Sequence, residues 1–167
     1  LEITGCRKDV PFTTAEGNPR TFGGSGIWMR GPNDVSLINV KIHDCTDGLF
    51  ASSGDDEPNT TRRLLVKKCH IENCSENQQA MGLIFGVHNI YTECAGVTFE
   101  ENYFGPTRPN SDGGNLKDRS SNCVIRYNHI EGGLRLLDLV EAQDSWPRVQ
   151  ADLAGGAGVR VKIEGAQ

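Results

Sequence analysis

Residues 97–131 read VTFEENYFGPTRPNSDGGNLKDRSSNCVIRYNHIE, and the two ends of this stretch overlay: VTFEENYFG from Val97 to Gly105 on CVIRYNHIE from Cys123 to Glu131. Moving outward, the pattern recurs as LLVKKCHIEN from Leu64 to Asn73 and VSLINVKIHD from Val35 to Asp44. With Val40, Cys69, Asn102 and Asn128 as equivalent positions, the steps are 29, 33 and 26 residues. Steps of this length match one coil of a solenoid whose connecting loops vary.

Three apolar columns run through the four segments: Val35/Leu64/Val97/Cys123, Leu37/Val66/Phe99/Ile125 and Ile42/Ile71/Phe104/Ile130. The first two lie two residues apart, which is strand period. The second and third lie five residues apart, an odd step that demands a bend, with Asn102 and Asn128 placed there as residues that tolerate unusual backbone angles. A polar turn and a further apolar run follow each segment: Gly48-Leu49-Phe50, Gly82 to Phe85, Asn115-Leu116 and Leu134 to Val140. Strand, bend, strand, loop, strand describes an all-β, right-handed parallel β-helix of about four to five coils stacked about 4.8 Å apart. An antiparallel sandwich would place turn signals every 8–12 residues or so, which the observed period contradicts. Residues 1–34 are expected to form an irregular coil or cap, 35–144 the coils and 145–167 a divergent tail that caps the far end.

Composition agrees with this architecture and excludes others. The 167 residues amount to about one domain. Glycine, at 20 residues, exceeds its usual share of about 7%. With 17 basic against 22 acidic residues the net charge is −5, which leaves no basic footprint for nucleic acid or an anionic membrane. No apolar stretch approaches the roughly 20 residues of a bilayer span. The chain opens at Leu1 without a charged or apolar leader pattern and reads as a mature, trimmed or excised chain. Six cysteines are too sparse for a disulfide miniprotein, and without a C-x-x-C pair structural zinc is not expected.

Two outward rows follow from the overlay. Lys41, His70, Tyr103 and His129 share one offset and form a strip suited to sugar rings, or to ordinary stacking of amphipathic side chains. Ile38, Lys67, Glu100 and Arg126 share another, alternating in sign after the first as a salt-bridge ladder does. Cys45 and Cys74 also coincide, which puts their Cα atoms about 4.8 Å apart, within disulfide reach, though a reduced stack fits equally.

The stretch from His88 to Asp144 resembles the secreted bacterial β-helix proteins of the pectin-lyase-like superfamily, most distinctively in Asn115-Leu116-Lys117-Asp118-Arg119-Ser120, Arg126-Tyr127-Asn128 and Glu131-Gly132-Gly133. The resemblance covers a third of the chain closely and about two thirds through the looser repeat. It implies an extracytoplasmic protein in contact with polysaccharide, since the superfamily includes pectate, alginate and chondroitin lyases, polygalacturonases and phage tailspikes. A lyase acting on uronates needs a cation to neutralise the sugar carboxylate and a poised base. Lys117, Arg119, Arg126 and Arg135 are the candidates, Lys117 and Arg135 having the separation of the lysine and arginine that such lyases place on successive coils. Asp118 and Asp138, if stacked on adjacent coils, suit general acid work or a calcium ion, or they hold backbone amides at turns. The Gly-His-Gly of polygalacturonases, a nucleophile elbow and phosphate-binding loops are absent from the sequence; Asp55-Asp56-Glu57 is acidic but sits in a polar loop.

Two function classes follow. One is a carbohydrate-associated module that binds a polysaccharide or partner on its lateral surface and self-associates through exposed solenoid ends. The other is a small polysaccharide lyase cleaving uronic acid polymers by β-elimination at Lys117, Arg119 and Arg135, with His70 or His129 as substitute bases. Clustering of the cationic residues in one groove favours the lyase, scattering favours the module.

Overall fold

The computed structural model describes residues 1–8, 10–21, 24–52, 60–77, 87–140 and 161–165. Three five-stranded parallel sheets, A, B and C here, form its walls. Sheet A stacks β1 (Glu2–Thr4), β6 (Lys41–His43), β9 (His70–Glu72), β12 (Tyr103–Phe104) and β15 (His129–Ile130). Sheet B stacks β4 (Ser25–Met29), β7 (Asp47–Ala51), β10 (Ile90–Thr92), β13 (Leu116–Asp118) and β16 (Leu137–Leu139). Sheet C stacks β5 (Ser36–Ile38), β8 (Arg62–Lys67), β11 (Ala95–Glu100), β14 (Ser121–Arg126) and β17 (Val161–Glu164). The chain visits the sheets in constant order, so each strand pairs with its equivalent one coil away. Residues before Ser25 add β1 to sheet A and an antiparallel hairpin of β2 (Pro11–Thr13) and β3 (Pro19–Thr21).

The three apolar columns stand in register. Val97 pairs with Leu64 and Cys123, Phe99 with Val66 and Ile125, and Phe104 with Ile71 and Ile130. Sheet B supplies the third wall through Ile27, Leu49, Ile90, Leu116 and Leu137. Phe99 and Phe104 meet edge to face at 5.9 Å across the bend, both fully buried. The apolar run expected at Gly82 to Phe85 lies outside the described residues; the strand in register with Leu49 and Leu116 begins at Ile90.

The bend works differently from the sequence expectation. Left-handed backbone falls one residue before each expected position, at Asn39 (φ 54°), Lys68 (φ 53°), Glu101 (φ 56°) and Tyr127 (φ 59°). Asn102 and Asn128 instead turn inward and bridge coils. The Asn102 Nδ2 group donates to Val66 O at 2.9 Å and to Asn128 Oδ1 at 2.8 Å, while its Oδ1 accepts from Cys69 N at 2.8 Å. Asn128 Nδ2 donates to Phe99 O at 2.9 Å. A second ladder stands at another corner. Asn89 Oδ1 accepts from Cys74 N at 2.9 Å, and Asn115 Nδ2 donates to Gly105 O at 2.8 Å. A corner leaves peptide groups that no strand can pair, and an amide side chain offers both a donor and an acceptor to satisfy them.

The outer ladder of sheet C extends beyond its expected members. Glu100 bridges Lys67 (2.6 Å) and Arg126, and Arg126 reaches on to Glu164 at 3.8 Å. Hydrogen bonds from Lys67 and then Arg126 hold the Glu100 carboxyl down to about 2.

Two outcomes follow. Asn102→Leu strands the Cys69 amide and the Val66 carbonyl, and urea unfolding will show a loss of about 2 kcal/mol or more. Because the folded pKa of Glu100 is depressed, its contribution is present above its ordinary value of 4.5 and disappears as pH falls toward about 2. Glu100→Gln will flatten that acid limb when melting temperature is followed against pH.

Candidate functional site

The outward residues of sheet B, one per coil, are Trp28, Phe50, Tyr91, Lys117 and Asp138, and strand pairing holds them in register. They alternate with the inward Leu49/Ile90/Leu116 column, so strand period fixes their direction. Trp28 meets Phe50 edge to face at 6.1 Å, and Phe50 stacks on Tyr91 at 5.0 Å with 12° between planes. The Lys117 ammonium lies 5.6 Å from the Tyr91 ring centroid. Trp28 is 63% exposed, an unusual position for the largest apolar side chain. The row is therefore an aromatic strip across three coils that ends in a cation on the fourth.

Charged groups gather around that end. Burial, and then Arg119 and Arg135, push the Lys117 amine below its ordinary range, against the opposing pull of Asp138 and Glu93. Arg119 follows β13 directly, its amide donating to Thr92 O at 2.8 Å. Arg135 belongs to the next coil, where its guanidinium pairs with Asp138 at 3.6 Å. Glu93 is fully buried beneath the cluster and receives a hydrogen bond from the Tyr91 hydroxyl at 3.5 Å. Thus Lys117, Arg119, Arg135 and Asp138, drawn from the sequence as candidates, are brought together.

His88 joins them, a residue the sequence reading did not single out. Its ring lies 6.1 Å from Tyr91, and its Nδ1 accepts from Gly114 N at 2.9 Å, which leaves the proton on Nε2. His88 is 4% exposed and its Nε2 has no hydrogen-bond partner. Burial first, and Lys117 second, lower it to about 4, so the ring is neutral at physiological pH. Its backbone amide donates to Asp47 Oδ1 at 3.2 Å, and burial pushes the Asp47 carboxyl up to about 7.

Asp118 departs from expectation. Asp138 pairs in register with Lys117, whereas Asp118 pairs with Leu139, so the two carboxylates face opposite sides of the sheet. A one-residue offset in a strand reverses side-chain direction. Asp118 is 2% exposed and accepts hydrogen bonds from Thr92 Oγ1 at 2.7 Å and Ser120 N at 3.3 Å. Burial raises its pKa. It thus bonds a backbone amide at a corner, one of the uses expected of it. Among the described residues, no group of three or more His, Cys, Asp or Glu side chains is disposed to hold a metal.

The remaining candidates lie on other faces. Lys41, His70, Tyr103 and His129 form the expected row on sheet A, where His70 and Tyr103 meet at 4.6 Å and Tyr103 and His129 at 5.5 Å. Each is engaged by an acid: Lys41 with Glu2 at 3.3 Å, His70 with Glu72 at 2.9 Å, His129 with Glu131 at 3.5 Å, and Tyr103 with Glu131. Bonding to Glu131 pushes the Tyr103 hydroxyl up to about 12. Arg126 belongs to the Glu100 ladder on sheet C.

Fold and register together define a right-handed parallel β-helix whose aromatic and cationic row stands on a lateral face. A family model described as "Right handed beta helix region" matches residues 25–145, and the chain belongs to that family. No curated protein and no solved structure matches it.

The depressed Lys117 amine will react with amine-acylating reagents at lower pH than the other lysines. Removing a neighbouring cation raises a lysine pKa, so Arg135→Ala will move the Lys117 labelling profile toward alkaline pH in peptide-resolved mass spectrometry.

Proposed function

We propose that this β-helix binds an acidic polysaccharide along the outer face of sheet B, with the chain of sugars running parallel to the helix axis. The observation that carries the reading is the in-register row Trp28, Phe50, Tyr91, Lys117. Coil spacing of about 4.8 Å is close to the length of one pyranose unit, so successive sugars meet successive side chains. Apolar C–H faces of the sugars pack on the rings, and a uronate carboxylate meets Lys117 with Arg119 and Arg135 beside it. At about 4 Å and an effective dielectric near 20, one such charge contact is worth about 4 kcal/mol before desolvation.

A second reading rests on the Lys117 amine. A lysine held below its ordinary range between guanidiniums is suited to be a base. Neutral Nζ takes the proton from C5 of a uronate, the C–H electron pair forms the C4–C5 double bond, and the bond from C4 to the glycosidic oxygen breaks. That oxygen leaves with a proton from water, and Arg119 and Arg135 stabilise the charge on the sugar carboxylate.

Titration of the protein with polygalacturonate, alginate and chondroitin sulfate tests both readings. Affinity will fall with added salt, and Tyr91→Ala will weaken it several-fold, in line with about 0.5–1.5 kcal/mol for a ring contact. Loss of charge on Lys117 will end binding at a lower pH than for an ordinary lysine, and Lys117→Arg will extend binding into alkali. Equal affinity for these polymers and a neutral glucan would sink the binding reading. Appearance of the ultraviolet absorbance of an unsaturated uronate, abolished by Lys117→Ala, would establish elimination.

A further inference from the structure

Three of the six cysteines form a column that the glycan face does not use. β1, β6 and β9 pair in register, Thr4 with His43 and His43 with Glu72, and the chain leaves each strand in the same way. Cys6, Cys45 and Cys74 therefore stand two residues past equivalent strand ends. Backbone bonds confirm the stacking: Thr46 N donates to Cys6 O at 3.0 Å and Ser75 N to Thr46 O at 2.9 Å. Parallel neighbours lie about 4.8 Å apart, inside the Cα range of roughly 4.4–6.8 Å that a disulfide spans.

The three thiols differ in freedom. Cys45 and Cys74 are fully buried, donating to His43 O at 3.3 Å and Glu72 O at 3.2 Å. Their sulfurs rest over glycines: a Cβ on Gly26 would lie 3.1 Å from Cys45 Sγ, and one on Gly48 3.2 Å from Cys74 Sγ. Cys6 is part-exposed at the open end of the column and only 4.0 Å from Thr4 O. In this column, hydrogen bonding from Cys74 holds the Cys45 thiol below its ordinary range, while burial and then the neighbouring Cys45 raise that of Cys6. Access and the greater intrinsic nucleophilicity of a higher-pKa sulfur favour Cys6 for the first attack, and thiolate character favours Cys45 for the second.

We propose that this column is a modification site at which a small-molecule disulfide links Cys6 to Cys45 and so ties the first coil to the second. Cys6 thiolate attacks the reagent, forming a mixed disulfide and releasing one thiol. Cys45 thiolate then attacks the Cys6 sulfur, displacing the second thiol. Two protein thiols are oxidised and one reagent disulfide is reduced to two thiols. Cys6 is the entry point because it alone of the three is accessible and loosely held. A Cys45–Cys74 bond would require one buried sulfur to leave its seat over glycine, while Cys74 in place supports the Cys45 thiolate. The inference is independent of the glycan-binding reading.

The full chain is incubated with oxidised glutathione at neutral pH, and thiols are then counted under denaturing conditions and mapped by peptide mass spectrometry. The count will fall from six to four, with a Cys6–Cys45 cross-link that dithiothreitol reverses and a higher melting temperature for the oxidised form. Cys6→Ser, a near-isosteric change at the part-exposed end of the column, will keep all of its five thiols. Six thiols remaining, a stable glutathione adduct on Cys6, a Cys45–Cys74 link, or thiol loss in Cys6→Ser would each overturn the proposal.

Discussion

In-register hydrogen bonding between equivalent strands of successive coils is the constraint on which the rest depends. No single coil has an inside: its apolar side chains acquire one only when the coils above and below cover them. Register converts a one-dimensional repeat into columns, so identical offsets become contacts about 4.8 Å apart. The core, the asparagine ladders, the Glu100 ion-pair ladder, the aromatic row and the thiol column are all products of the same alignment.

Corners are where that scheme is under most stress, and three kinds of residue resolve it. Left-handed residues such as Lys68 and Glu101 turn the chain. Inward asparagines satisfy the peptide groups that the turn exposes. Buried Asp118, with Thr92 and Ser120, does comparable work at another corner. The inward asparagines and Asp118 are polar yet interior because partners in their own and neighbouring coils satisfy them.

The outer faces divide by how completely their charges are already matched. Sheet C is neutralised by its own ladder, and on sheet A each basic or phenolic side chain is met by a glutamate. Among the described residues, sheet B joins the Trp28–Phe50–Tyr91 strip to Lys117, Arg119 and an Arg135 that is itself paired with Asp138, with a buried neutral imidazole beside them.

Columns such as Leu37/Val66/Phe99/Ile125 were legible because apolar periodicity survives in any sequence that must stack, and the Lys67–Glu100–Arg126 alternation came with them. Lys117, Arg119 and Arg135 were legible as candidates by type and spacing. What remained hidden lay in the loops, whose unequal lengths break the sequence overlay. Trp28, Phe50 and Tyr91 belong to strands whose offset only hydrogen-bond register reveals, and His88 enters the site through a corner with no repeat signal. The same uncertainty of one residue made Asp118 and Asp138 look like neighbours when they face opposite sides. Sequence by itself determined the solenoid and its columns, because periodicity is local. Tertiary structure decided which side chains share a face and which are already paired, because register in a strand reverses every side chain with a shift of one residue.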